Sequence, residues 1–131
     1  MMIDYFLIYR CILEVIHDEH SSITDAFKLF EFLSEKEELF KMRETFPQKI
    51  VVEATLEVLD NLIDDGLIIA KRYHTADGTL YQIKRLSTAG HSYLLSLQKT
   101  ATSEKVKDFL KSEGLPLTPK SVSKAIANLL W

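Results

Sequence analysis

The 131-residue chain contains one cysteine, one tryptophan, three prolines and only four glycines. A single cysteine excludes an intrachain disulfide, and Cys11 lies in an apolar helical stretch, where a small buried hydrophobe in a reducing cytoplasm is the expected role. Gly66, Gly78, Gly90 and Gly114 stand far apart, so the sequence has neither a P-loop nor a G-x-G-x-x-G phosphate cradle. It also lacks a nucleophile motif, an internal repeat and a low-complexity tract. The most apolar stretch, MMIDYFLIYRCILEVI, is interrupted by Asp4, Arg10 and Glu14 and follows no basic run, so it is expected to be neither a signal peptide nor a membrane span. These absences predict a cytoplasmic protein that is not an enzyme and carries no cofactor.

What the chain has is a core and a charge gradient. With 47% apolar and 27% charged residues it can bury a real interior. Residues 1–65 carry 6 Lys/Arg against 15 Asp/Glu, and residues 66–131 carry 10 against 4, giving −9 and +6 for a net −3. A polyanion would therefore meet the second half, unless the two halves attract each other within the molecule or between subunits.

Apolar spacing predicts a first helix over residues 3–18, with Asp4 near its start and His17 and His20 near its end. Residues 23–46 read as one long helix or two shorter ones joined near Ser34, with a Ser22–Asp25 capping pair ahead and Pro47 behind. Phe27, Phe30, Leu33, Leu39, Phe40 and Phe46 form apolar stripes there, read as core. A third helical segment spans 50–65. On a wheel of about 100° per residue, Glu53, Glu57, Asp60 and Asp64 fall on one face and Val51, Val52, Thr55, Leu56, Val58, Leu59, Leu62 and Ile63 on the other. Gly66 is placed as a left-handed stop.

Strands follow at 67–74 and 79–86 around T-A-D-G. Alternation assigns Ile69, Tyr73, Tyr81 and Ile83 to the inner face and Arg72, His74, Gln82 and Lys84 to the outer one, with Lys71 and Arg85 reaching solvent from strand ends. Ser87 or Thr88 caps a fourth helix through Gln98; glycine at position 90, in its first turn, implies a close approach to another element, with His91 hydrogen-bonded nearby. KTATS reads as a linker, Ser103 to Glu113 as a fifth helix, and Thr118 to Trp131 as a last one. The fold class is α+β, mainly α, with residues 1–98 as the domain and 99–131 as a helical extension.

The order of helices, G-L-I, hairpin and helix is that of a winged helix-turn-helix. "LDNLIDDGLI" followed by "LSTAGHSYLLSL" resembles the YjcQ-like group of phage- and prophage-associated winged-helix proteins, which pair L-x-x-x-G-L-I with L-T-x-x-G-H-x-[FY]-L and a short helical tail. The likeness covers residues 50–98 well and the first helix loosely, and the tail only in general character. Ser87 stands where the group has threonine, and the 21–49 region is longer than the group's pattern. The resemblance implies a fold and a phage or prophage setting, and no settled activity.

In such a fold the third helix would enter the DNA major groove, but its exposed stripe of Glu53, Glu57, Asp60 and Asp64 would be repelled by a duplex carrying a phosphate per about 1.7 Å of axis. The wing differs. Lys71, Arg72, His74, Lys84 and Arg85 concentrate positive charge, and Lys99, Lys105, Lys107, Lys111, Lys120 and Lys124 extend it. One reading is thus an accessory or regulatory protein touching the DNA backbone through its wing with low sequence specificity. The other is a protein-interaction module, or an inhibitor of a host protein, using the acidic face and binding no DNA. His17-x-x-His20 has metal-ligand spacing but no third ligand, so no metal is expected. Val106, Phe109, Leu110, Val122, Ile126, Leu129, Leu130 and Trp131 must be covered by the domain or by a second subunit, which predicts a homodimer.

Overall fold

Asp4 starts the first helix by accepting a hydrogen bond from the Leu7 amide at 3.1 Å. In the computed structural model, which describes residues 3–19, 21–98, 100–114, 121, 124 and 125, helix α1 runs Tyr5–Glu19. Phe6, Ile8, Tyr9, Cys11, Ile12, Leu13, Val15 and Ile16 are all buried, so this helix is apolar nearly all round and lies in the middle. It packs against the helices Gln48–Asp64, Ala26–Leu33 and Thr88–Leu97 and against the second strand, Gly78–Leu86.

The 23–46 region is two helices, not one. Asp25, rather than Ser22, is the cap: its carboxylate accepts the Lys28 amide at 2.9 Å and starts α2, Ala26–Leu33. Ser34 closes α2, a short 3-10 turn covers Glu37–Leu39, and α3 spans Phe40–Thr45. The break divides the apolar stripe. Leu29, Leu33, Leu39 and Met42 are buried, but Phe27 is 82% and Phe40 56% exposed, contrary to their expected place in the core.

Helix α4, Gln48–Asp64, buries Ala54, Thr55, Val58, Leu59 and Leu62. It ends in a Schellman turn: the Leu67 amide reaches back to Leu62 O at 2.9 Å, the Gly66 amide to Ile63 O at 3.1 Å, and Gly66 takes φ +74°. Strands β1, Ile68–Thr75, and β2, Gly78–Leu86, form an antiparallel hairpin. Ile83 N also donates to Thr24 O at 2.9 Å, laying the α1–α2 connection against the free edge of β2.

The hairpin corrects the expected facing of β1. Ile68, not Ile69, is buried, while Ile69 is 36% and Tyr73 49% exposed. The register pairs Arg72 with Tyr81 and Ala70 with Ile83, then shifts so that Ile69 pairs with Arg85 and Ile68 with Leu86. Lys84 is the extra residue of this bulge, which lets Ile83 and Leu86 both reach the core although three positions separate them. Arg72 therefore shares the inner side with Tyr81, and Tyr73 the outer side with Leu80.

Helix α5, Thr88–Leu97, buries Tyr93, Leu94 and Leu97, and α6, Thr100–Ser112, packs against it. The helix begins inside the expected KTATS linker. Val106 and Leu110 are buried within the single chain, so these two need no second subunit to cover them. Of the helix expected from Thr118 to Trp131, only Ser121, Lys124 and Ala125 are described; Val122, Ile126, Leu129, Leu130 and Trp131 lie outside the described residues, as do Lys99, Lys120 and His20. The architecture is α+β and mainly helical, with helices, then a two-stranded hairpin, then helices, consistent with a winged-helix-like arrangement. Among the described residues no helix is long and apolar enough to cross a membrane.

Candidate functional site

Asp60 and Asp64 sit one turn apart on α4, a spacing that one guanidinium can bridge. Arg72 does so from β1, donating through one terminal nitrogen to Asp60 Oδ1 at 3.1 Å and through the other to Asp64 Oδ1. Tyr81 completes the cluster, its hydroxyl donating to the same Asp60 oxygen at 2.8 Å. The two carboxylates hold the proton on Arg72 still more firmly, the hydrogen bond to Asp64 contributing most. Burial, followed by the Asp60 contact, pushes the Tyr81 phenol up to about 12.

The acidic stripe is therefore split. Glu53 and Glu57 face solvent without a cation among the described residues, whereas Asp60 and Asp64 share Arg72, which the alternation had assigned to the free outer face and which offsets one of their two charges. The error follows from parity. Two adjacent isoleucines leave β1 free to choose either face, and the choice was made by burying Ile68 and by drawing Arg72 to two carboxylates distant in sequence. Arg72 leaves the hairpin's free charge, and the acidic face keeps Glu53, Glu57 and a net single negative charge on the Asp60–Asp64–Arg72 cluster. Sequence reasoning also missed the Tyr81 hydroxyl, for which the Asp60–Asp64 spacing was the only local signal.

The remaining basic side chains stay outward. Lys71, Lys84 and Arg85 are exposed, and none of them has a carboxylate within 4.0 Å among the described residues. The register sets Lys71 opposite Gln82 and Tyr73 opposite Leu80, so Ile69, Lys71, Tyr73, Leu80, Gln82 and Arg85 share the outer surface of the hairpin, with Lys84 protruding at the bulge. His74 is exposed near the turn, its Nδ1 3.2 Å from Thr79 Oγ1. Lys105, Lys107 and Lys111 ride on α6, Lys107 lying 4.0 Å from Asp4, and Lys124 is exposed beyond it.

Cys11 Sγ and carboxylate oxygens of Glu14 and Glu38 lie within 4.8 Å of one another, which is metal-ligand proximity. Arg10 and Lys36 already occupy these carboxylates, Arg10 reaching Glu14 at 2.6 Å and Glu38 at 3.8 Å and Lys36 reaching Glu14 at 3.7 Å. Burial pushes the Cys11 thiol up to about 12, so it is held protonated at neutral pH and is a poor ligand. At pH 8 this leaves on the order of 1,000-fold less thiolate than an ordinary cysteine. Cys11 should thus react with a chromogenic disulfide reagent at least ~100-fold more slowly in the native protein than in urea; equal rates would refute its burial. His17 does meet a second imidazole, but it is His91, at 5.3 Å between ring centroids.

Compared with protein-family models, curated proteins and solved structures, the chain matches none. The likeness drawn from its sequence thus rests on the two motifs alone, and in this chain they form a mechanical joint. Ser87 donates its hydroxyl to Gly66 O at 2.6 Å and accepts the Gly90 amide at 3.0 Å, while its own amide donates to Leu67 O at 2.9 Å. A Cβ on Gly90 would stand 2.1 Å from Leu67 O, so the close approach expected there is to the G-L-I turn itself. The two halves of the motif meet to anchor α5 on the end of α4.

Proposed function

We propose that the chain is a winged-helix accessory or regulatory protein of phage or prophage type, and that it touches duplex DNA through phosphates along the outer hairpin surface. The carrying observation is the set Lys71, Lys84 and Arg85, three exposed cations of the hairpin with no carboxylate within 4.0 Å among the described residues. The Ile83–Thr24 hydrogen bond, which ties the α1–α2 connection to the edge of the hairpin, supports the winged-helix reading. Glu53 and Glu57 keep α4 from lying in a groove, so the mode is backbone contact with little base reading, in which arginine and lysine pair with phosphate oxygens.

Three phosphate contacts predict a slope of about −2.7 in log affinity against log salt, or about fortyfold weaker binding between 50 and 200 mM. Fluorescence anisotropy with labelled duplexes of several sequences measures both the slope and its indifference to sequence. No binding at low salt would end this reading and favour the alternative, a protein-interaction module using what remains of the acidic face.

A further inference from the structure

The break between α2 and α3 leaves a cavity of about 380 Å³, open to solvent on one side and lined by α2, the 3-10 turn, α3 and the first half of α4. That volume falls in the range of roughly 300–1,000 Å³ usual for small-ligand sites. Phe30, Leu33, Leu39, Val51 and Val52 line it, and so does Arg43, whose exposure to solvent puts it at the open side. The guanidinium is held in place from two directions: one terminal nitrogen donates to Ser34 O at 2.9 Å, and its carbon lies 4.9 Å from the centroid of the Phe40 ring. No carboxylate lies within 4.0 Å of it among the described residues, in contrast to Arg10 and Arg72.

We propose that this cavity binds a small monocarboxylate with an apolar chain or ring, its tail among Phe30, Leu33, Leu39, Val51 and Val52 and its carboxylate on Arg43. An apolar wall alone would accept any hydrophobe, and the fixed cation supplies the selection. The guanidinium nitrogens that do not hold Ser34 have no acceptor among the described residues and can donate to a carboxylate, and because the head is already positioned, little orientational freedom is lost on binding. A neutral analogue forgoes these bonds, and an ammonium analogue is repelled. Gln48 also lines the cavity and brings a polar side chain to it. This site is separate from the hairpin surface and does not depend on the DNA reading.

Decanoate, decanol and decylamine, each below its aggregation concentration, are suitable probes for the full chain, read by amide chemical shifts and by calorimetry. Decanoate should bind saturably, shift resonances of residues 30–55, and bind at least about tenfold more tightly than decanol, with decylamine weakest. Arg43→Met should bring decanoate down to the level of decanol, and Val52→Phe, which fills the cavity, should weaken both together. Should Val52→Phe fail to fold, Arg43→Met still decides, because that side chain is exposed. The proposal is overturned by absence of saturable binding, by equal affinity for decanoate and decanol, by an Arg43→Met variant that keeps the preference, or by shifts centred on Lys71, Lys84 and Arg85 instead of the cavity.

Discussion

Replacing Gly90 with alanine is expected to cost about 3 kcal/mol or more of folding stability, although alanine is the better helix former by roughly 1 kcal/mol. The added Cβ would meet Leu67 O at 2.1 Å and Leu86 Cβ at 3.3 Å, against ordinary contacts of 3.4–4 Å. The nearest obstacle is a backbone carbonyl that also accepts the Ser87 amide, so no flexible side chain can swing aside. To relieve the contact, α5 must withdraw by about an ångström, which breaks the Ser87 bond to Gly66 O and opens the interface where Tyr93, Leu94 and Leu97 are buried. A loss of this size is a large fraction of the stability of a typical domain. Gly66→Ala is the control. Nothing lies within 4 Å of its Cβ position, so only its φ of +74° is penalised, at about 1–2 kcal/mol, and Gly66→Asn should recover part of that. Denaturant unfolding of the three variants separates lack of space from backbone strain; a Gly90→Ala protein within about 0.5 kcal/mol of the parent would show that α5 does not sit on the turn.

The elements that were legible in the sequence are those whose signals are local. Apolar periodicity marked α1 and α4, Gly66 marked the end of α4, Asp77-Gly78 marked the turn, and the glycine at position 90 announced a close approach without saying to what. Facing was illegible where local signals tie. In I-I-A-K-R-Y either isoleucine could point inward, and the outcome turned on a guanidinium reaching two carboxylates on another element and on a bulge at Lys84. The split at Ser34 was open for the same reason: F-K-L-F-E-F-L-S-E-K-E-E-L-F suits one helix or two, and the choice rests on Leu39 and Met42 finding burial after a change of direction. The cavity is a by-product of that break, and Arg43, which nothing in the sequence singles out, acquires its position only when Ser34 O and the Phe40 ring come beside it.

Two charge reversals on the same hairpin should have opposite consequences. Lys71→Glu, Lys84→Glu and Arg85→Glu together remove three outward cations that have no carboxylate partner among the described residues, so folding stability should change by no more than about 0.5 kcal/mol. On the proposed duplex-binding mode, the same variant would trade three attractive contacts for three repulsive charges, and binding should fall below detection at any salt concentration where the parent binds. Arg72→Glu, a single change one residue from Lys71, should instead act on folding. It deletes the hydrogen bonds to Asp60 and Asp64 and sets a third carboxylate beside them and beside the Tyr81 hydroxyl. Because the pair is partly exposed, with Asp60 at 42% and Asp64 at 57% side-chain exposure, each lost contact is discounted to about 1 kcal/mol or less, and with the added repulsion the total comes to about 2 kcal/mol. Its effect on DNA should be correspondingly mild, since Lys71, Lys84 and Arg85 remain. Denaturant unfolding and anisotropy on both variants form a two-by-two comparison. An Arg72→Glu protein of unaltered stability that no longer bound DNA would place Arg72 on the contact surface, and would mean that its bridge across α4 does not persist in solution.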